Sequence, residues 1–136
     1  MGWRQSLVRL ADYEVEQLQM RLAEVVEKRT AAQLKLAMLH AEAEAERARA
    51  AADLQTGWYW PGYIAAWRVR RDQAQADLAA AEAEEAGARD ALAQAFEELK
   101  KYEQLMESAA EAERKAAARL DGAVLDELGS RRALGR

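Results

Sequence analysis

Aromatic and arginine side chains crowd into one short stretch of the sequence, next to its single proline at position 61. Large aromatic rings with a polar edge, together with arginine, are the residue types enriched at the energetic centres of protein interfaces. Residues 58–71, which we call the aromatic tip, therefore predict a partner-binding surface. The side chains that carry this prediction are Trp58, Tyr59, Trp60, Tyr63, Ile64, Trp67, Arg68, Arg70 and Arg71.

A structural role competes with partner binding at the aromatic tip, since a hairpin of helices needs an apolar plug where it turns. Trp67 is the candidate plug. Two helices cannot bury all six large apolar side chains of the aromatic tip at one end, however, so we favour a partner site. Stacking on single-stranded nucleic acid and contact with a membrane surface are weaker alternatives. The stretch holds only three arginines, and the chain has a net charge of −4.

The residue types that perform catalysis are not assembled anywhere in the sequence pattern. The single histidine, His40, has no second metal ligand near it, and the serines have no partnered base. The chain has no cysteine and no glycine-rich phosphate loop. Its many carboxylates lie on helix faces that the pattern predicts to be solvated, where no pocket shifts their pKa. The sequence therefore predicts a protein that is not an enzyme and binds no metal or cofactor.

Two long helices must position the aromatic tip. A composition rich in Ala, Glu, Leu and Arg with a helical period is typical of long helices and coiled coils. Gly57, Pro61 and Gly62 interrupt this pattern, because proline removes a backbone donor and glycine relaxes φ. We predict a single domain with a helix over 3–54, a turn over 55–62, a helix over 63–129 and a tail over 130–136.

Apolar residues in both helices recur every three or four positions, the 3.5-residue period of a coiled-coil seam. The first seam runs from Val8 to Ala50 and the second from Trp67 to Ala109. In an antiparallel pair, the numbers of two facing residues add to a constant. A turn centred midway along the interruption sets this constant at 117 and matches seam positions of one helix with seam positions of the other.

Charged residues also enter the seams, and they select this register over its heptad-shifted alternatives. At a constant of 117, Arg4 faces Glu113 and Glu46 faces Arg71. Arg29 then lies one layer from an acidic seam position. Exposed pairs of this kind contribute only about 0–1 kcal/mol each, so we expect them to specify the alignment of the helices rather than their stability.

In this register, residues 117–136 have no counterpart in the first helix, and we call them the C-terminal overhang. Leu120, Val124 and Leu128 form an apolar stripe along it. Residues 114–136 hold six basic and three acidic side chains, a net charge of +3. An apolar stripe with basic flanks and no partner in the chain predicts a docking surface.

These patterns together predict an all-α fold: two long helices in an antiparallel coiled-coil hairpin with an aromatic tip and an overhanging C-terminal helix end. No apolar run approaches the roughly 20 residues that a membrane-spanning helix needs. Residues 1–7 lack the apolar core of a signal peptide. We therefore expect a soluble cytoplasmic protein.

Four motifs are spread over nearly the whole chain: Leu7-Val-Arg-Leu10 with Tyr13-Glu14-Val15, Trp60-x-x-Tyr63 after the turn, Phe96-Glu-Glu-Leu-Lys-Lys-Tyr-Glu103, and Leu125-Asp-Glu-Leu-Gly-Ser-Arg-Arg132. Together they resemble the FliJ family, the coiled-coil proteins of the flagellar type III export apparatus. The last motif is similar to the ending of alphaproteobacterial members.

The resemblance implies a stalk that couples an ATPase to an export gate. Family members look like the central stalk of rotary ATPases, insert their paired termini into the hexameric export ATPase, FliI, and contact the export-gate protein, FlhA, near the turn. They are also described as general chaperones that escort or recycle substrate chaperones. The location implied is cytoplasmic, at the inner face of the membrane export apparatus, with the membrane reached only through partners and no nucleic acid bound.

Carried over to this sequence, the resemblance implies two sets of site residues. The family usually has larger apolar side chains where this chain has Ala66 and Arg70. The gate-facing set consists of Trp60, Tyr63, Ala66 and Arg70, with Trp67 adjacent. Together with Trp58 and Tyr59, which the residue types alone single out, it forms the predicted partner-binding tip. The ATPase-facing set consists of Trp3, Arg4, Leu7, Leu120, Val124, Leu128, Arg131 and Arg132.

Two other functions fit the same pattern. One is the equivalent stalk of a virulence or symbiosis secretion system, which neighbouring genes would distinguish from a flagellar protein. The other is a generic coiled-coil scaffold or oligomerisation module, which binding of an export ATPase would distinguish from a stalk.

Overall fold

A computed structural model describes residues 2–53, 55 and 57–135 of the chain. Helix α1 spans Trp3–Ala52, a short 3-10 helix spans Gly57–Tyr59, and helix α2 spans Trp60–Leu134. These elements include no strand within the described residues. The predicted all-α class with two long helices is therefore confirmed.

The bounds of α2 differ from the prediction at both ends. The helix begins at Trp60 rather than at residue 63, because a proline in the first turn, Pro61, lacks only an N–H that would have no helical acceptor there. The predicted stop at Gly129 is wrong, since the helix continues to Leu134. An ion pair between Arg131 and Glu127 one turn apart, at 2.8 Å, spans this glycine. Basic side chains in the last turn also favour a helix C-terminus.

The predicted seams agree with the burial of the individual side chains. Every seam position from Val8 to Ala50 and from Trp67 to Ala109 is buried or half-buried. Nearly every other position within these two ranges is exposed. The 3.5-residue period therefore located the contact face of both helices correctly. The exceptions outside the seams are the half-buried residues Val26, Glu84 and Ala91.

The chain divides into two compact units. The turn unit, Glu16–Gln94, pairs the second part of α1 with the first part of α2. Its core is a cluster of Leu39, Ala43, Trp67 and Ala74. Large and small side chains alternate in this cluster, which lets the two helices interdigitate. Val25, with 1% of its surface exposed, and Ala81 are the other described residues buried in this unit.

The terminal unit consists of Met1–Val15 and Ala95–Arg136. Ala11 and Val15 are its buried residues within the described part of the chain. The Nη1 atom of Arg4 lies 3.3 Å from Oε1 of Glu113. This ion pair is one of the two that the register of 117 predicts, and it is confirmed.

The second predicted pair, Glu46 with Arg71, is wrong. The Glu46 carboxylate instead accepts from Arg49 at 2.9 Å and from the Tyr59 hydroxyl at 2.8 Å. Arg71 pairs with the adjacent Asp72 at 2.8 Å and places its guanidinium carbon 5.4 Å from the centre of the Trp67 ring. Each long side chain has found a nearer partner on its own helix or in the turn.

Other charges join the helices of the turn unit. The Nε atom of Arg29 lies 3.1 Å from Oε1 of Glu85, as the prediction of a one-layer offset allows. Glu84 accepts from Arg21 Nη2 at 2.6 Å and from Lys28 Nζ at 3.0 Å. These three carboxylate contacts join α1 to α2 in the middle of the turn unit and hold its register.

We expect Glu84→Gln to weaken this unit in a pH-dependent way. The hydrogen bond from Lys28, assisted by the charges of Lys28 and Arg21, lowers the pKa of Glu84. A depressed pKa in the folded state stabilises the fold above the unfolded value of about 4.3, and the benefit disappears as pH falls through the folded value. The difference in urea midpoint between wild type and variant should be present at pH 7 and absent in acid.

The matched control for this measurement is Glu82→Gln, at an exposed position of the same helix. We expect its urea midpoint to follow the wild type at both pH values. Equal midpoints for wild type and Glu84→Gln at pH 7 would contradict a role for Glu84 in holding the register.

Gly57 is required by a close approach rather than by a special φ, since none of the described glycines has a positive φ. A Cβ at this position would lie 2.9 Å from the carbonyl oxygen of Ala50. Gly57→Ala is therefore expected to lower the free energy of unfolding by roughly 1–3 kcal/mol. Gly87→Ala is the control, because its Cβ meets no atom within 4 Å and alanine raises helix propensity by about 1 kcal/mol. Opposite shifts in melting temperature would confirm the prediction, and a stabilising Gly57→Ala would contradict it.

Candidate interaction surfaces

Trp67 is a structural residue of the aromatic tip. Only 6% of its surface is exposed, and its indole Nε1–H donates to the backbone carbonyl oxygen of Leu39 at 2.7 Å. The edge of its ring also meets the His40 ring, with 5.3 Å between centroids. These contacts fit the plug that the turn was expected to need, and they leave little of this side chain for a partner.

The neighbouring tyrosines also serve the fold. The Tyr59 hydroxyl donates to the Glu46 carboxylate at 2.8 Å, and this hydrogen bond raises the pKa of Tyr59. Tyr63 and Ile64 are half-buried and pack against the core cluster of the turn unit. Trp60 stacks on Tyr63 with 5.6 Å between ring centroids. Most of the aromatic side chains of the tip therefore pack within the turn unit and are at least half-buried.

Trp58 is the exception, with 81% of its surface exposed. Before it, Asp53 Oδ1 accepts from the Gln55 N–H at 3.0 Å, and the Asp53 carbonyl accepts from the Gly57 N–H at 2.9 Å. Trp58 itself lies in the short 3-10 helix Gly57–Tyr59, which presents the indole to solvent. A position in a helix suits an anchor residue, because less backbone entropy is lost on binding.

The rest of the exposed tip surface is small and partly charged. Ala66 is exposed, and Arg70 is exposed while pairing with Glu42 at 3.0 Å. Val69, with 70% of its surface exposed, lies one turn from both Ala66 and the exposed Ala65. Sequence reasoning missed Val69, because a single apolar residue outside the seam forms no helical stripe that the pattern could reveal.

In the terminal unit, the predicted residues Trp3, Arg4 and Leu7 line an open groove of about 380 Å³. Leu105 and Met106 of α2 lie on its other side. The Arg4 guanidinium carbon sits 5.5 Å from the centre of the exposed Trp3 ring. Most of the groove lining is apolar, so its surface suits an apolar side chain of another molecule.

The C-terminal overhang is exposed along its described length apart from Gly122. Its apolar stripe of Leu120, Val124 and Leu128 is solvent-facing, and Leu120 keeps 67% of its surface exposed. Arg131 and Arg132 lie in the last turn of the helix, where Arg131 pairs with Glu127. The overhang therefore brings the predicted stripe and its basic end together on one helix.

The described residues contain no group of three or more His, Cys, Asp or Glu that could hold a metal ion. The ring of His40, the single histidine of the chain, lies against Trp67. Over the same part of the chain, neither helix has the length and apolar character needed to cross a membrane.

Comparisons with known proteins give one consistent result. A family model described as "Flagellar FliJ protein" matches residues 5–136. Two proteins with that name, from Caulobacter vibrioides strains NA1000 / CB15N and ATCC 19089 / CIP 103742 / CB 15, are each 46% identical to this chain over 131 residues. The match covers 96% of this chain and 94% of each relative. No solved structure matches the chain significantly.

Proposed function

This chain belongs to the FliJ family of flagellar proteins, and we propose from that membership that it is a non-enzymatic stalk of the flagellar protein export apparatus. Its terminal unit docks on the export ATPase, and its aromatic tip docks on the export-gate protein. Both matched relatives are named flagellar proteins, which favours the flagellar assignment over a virulence or symbiosis system.

The observation that carries the proposal is the uncovered C-terminal overhang. A helix that leaves Leu120, Val124 and Leu128 exposed loses the free energy that their burial would supply, about 1.5–3 kcal/mol for each side chain. Apolar stripes of this kind on a helix bind grooves through residues spaced by three and four. The export ATPase is the partner that family membership suggests for this stripe.

The aromatic tip supports contact with the gate through Trp58. The other large aromatics there make contacts within the turn unit, so Trp58 supplies most of the free aromatic surface. Ala66, Val69 and Arg70 are exposed as well, in the second and third turns of α2. We place the gate contact on these four residues, with Trp60 and Tyr63 supporting the turn behind them.

Trp58→Ala is expected to weaken gate binding by roughly thirtyfold or more, the effect of losing an aromatic hot spot of about 2 kcal/mol. The fold should be unaffected because the side chain is exposed. Binding of the purified export-gate domain, measured by titration calorimetry, checks this expectation. Leu34→Ala is the matched control, since Leu34 is a large exposed residue of the same unit, outside the tip.

Two variants that should each lose a different partner test the stalk function as a whole. Trp58→Ala should lose the gate protein in affinity purification and retain the export ATPase, whereas a variant of the C-terminal overhang should do the reverse. If both variants retain both partners, or if the wild type captures neither, the stalk proposal fails and a scaffold with other partners replaces it.

The proposal includes a location and a second activity. Binding to the gate and the ATPase would hold the protein at the cytoplasmic face of the membrane export apparatus, reached only through these partners. The exposed surfaces of both units also suit transient binding of substrate chaperones. Co-purification of export chaperones with wild type but not with Trp58→Ala or overhang variants would support this activity.

A further inference from the structure

The terminal unit contains two complementary surfaces that it cannot bring together by itself. One is the apolar groove lined by Trp3, Leu7, Leu105 and Met106. The other is the apolar stripe of the C-terminal overhang, which continues α2 beyond the groove. Because both belong to stretches of regular helix, the overhang cannot fold back into the groove of its own chain without breaking α2.

Charge matches the two surfaces as well. Residues 95–113, which form the α2 side of the groove and its surroundings, hold six acidic and two basic side chains, a net charge of −4. Residues 114–136 have a net charge of +3. Two stretches of one helix thus carry opposite charges, one beside an apolar groove and the other beside an apolar stripe.

We propose that two copies of this chain associate through their terminal units, with the overhang of each copy lying antiparallel to α2 of the other and its stripe in the other's groove. A two-fold axis near the boundary at residue 114 makes both contacts at once. The basic stretch 114–136 of each copy then lies along the acidic stretch 95–113 of the partner. The interface is isologous, the commonest arrangement for a pair of identical chains.

The antiparallel direction follows from the order of charges along α2. A parallel pair would set acidic against acidic and basic against basic, which costs free energy at short range. The antiparallel pair sets 114–136 of each copy against 95–113 of the other and buries both apolar surfaces. It also covers the stripe that the proposed function assigns to the ATPase, so the two partners would compete for it.

Cysteine cross-linking tests the arrangement, because the natural sequence has no cysteine. Leu105→Cys places a thiol at the groove, and Val124→Cys places one on the stripe; both positions are solvent-exposed. A tagged Leu105→Cys chain mixed with an untagged Val124→Cys chain should form the mixed disulfide faster than either variant forms its own. Leu34→Cys, exposed in the turn unit, replaces Leu105→Cys in the control mixture and should react only at the rate of random collision.

The cross-linking result can overturn the proposal in two ways. Predominant Val124–Val124 disulfides would show that the overhangs pair with each other instead of entering the grooves. A mixed disulfide that forms no faster than in the Leu34→Cys mixture would show that the groove and the stripe do not meet.

Sedimentation velocity provides an independent measurement on the full-length chain. The wild type should form dimers as its concentration rises. Leu120→Glu should weaken the dimer by roughly tenfold or more, because each of the two symmetric contacts would bury a charge in place of a leucine. Raising the salt from about 0.1 M to about 1 M, which shortens the Debye length from about 10 Å to about 3 Å, should weaken it further. Leu34→Glu should leave it unchanged.

A monomer at every accessible concentration, or a dimer that Leu120→Glu leaves intact, would overturn the proposal. These measurements need no ATPase or gate protein. A failed self-association would leave the proposed export function standing, and a failed ATPase interaction would leave the dimer standing.

Discussion

Trp67→Ala is expected to lower the free energy of unfolding by about 3–5 kcal/mol, the cost of truncating a large side chain in a core that cannot collapse around the space. Trp67 is at once the largest member of the core cluster and a hydrogen-bond donor to the Leu39 carbonyl. Its removal leaves Leu39, Ala43 and Ala74 in a cluster that has lost its largest side chain. Urea denaturation followed by helical circular dichroism measures the loss.

Two further substitutions serve as comparisons for the Trp67→Ala measurement. Trp58→Ala removes the same side chain from an exposed site, so it should change the free energy of unfolding by no more than about 0.5 kcal/mol. Trp67→Phe keeps an aromatic ring but removes the hydrogen-bond donor to the Leu39 carbonyl. Its decrease in the free energy of unfolding should lie between those of Trp58→Ala and Trp67→Ala. If Trp58→Ala destabilised the chain as much as Trp67→Ala, the division of the tip into a structural and an exposed part would be wrong.

The contact faces of both helices could be predicted from sequence because they depend on a repeating physical constraint. A helix can bury only one stripe against a single partner, so residues such as Leu39 and Ala74 must recur with the period of that stripe. Even the charged interruptions Arg29 and Arg71 obeyed the period and are half-buried. The alignment of the helices needed the charged seam residues as well, which select one register among its heptad-shifted alternatives, and the selected register correctly pairs Arg4 with Glu113.

The individual charge pairs were less predictable, as Glu46 shows. Its carboxylate lies at a seam position but can reach Arg49 one turn along α1 and Tyr59 in the turn. Alternatives of this kind differ by less than about 1 kcal/mol at half-exposed sites, so sequence position alone does not choose among them. The seam pattern did not identify Glu84, which pairs with both Arg21 and Lys28 of α1, because Glu84 lies beside the seam.

Prediction from sequence has the same limit for the candidate interaction surfaces. The exposure of Leu120 and Leu128 followed from length and register, which the sequence specifies. The burial of Trp67 and the half-burial of Tyr63 depend on how far a long side chain reaches across the turn, which the sequence does not specify. Of the predicted tip aromatics, Trp58 alone is mostly exposed within the described residues.

Deleting residues 117–136 is expected to reduce binding to the export ATPase by about a hundredfold or more, because it removes the whole apolar stripe and the basic last turn together. Stimulation of ATP hydrolysis should disappear with binding. The free energy of unfolding should change little, since the described residues of this segment pack against no core. Binding by surface plasmon resonance and a steady-state ATPase assay measure the two losses.

A full-length variant separates the apolar contribution from the loss of chain. Leu120→Glu combined with Leu128→Glu keeps the helix and both arginines but places charges on the stripe, and burying such charges without partners is costly. It should lose ATPase binding nearly as completely as the deletion, while Leu34→Glu retains it. Arg131→Gln combined with Arg132→Gln should give a smaller loss that fades at high salt, because screened charges contribute little there. Full ATPase activation by the double glutamate variant would contradict docking through the stripe and would leave the basic end of the helix as the surface to examine.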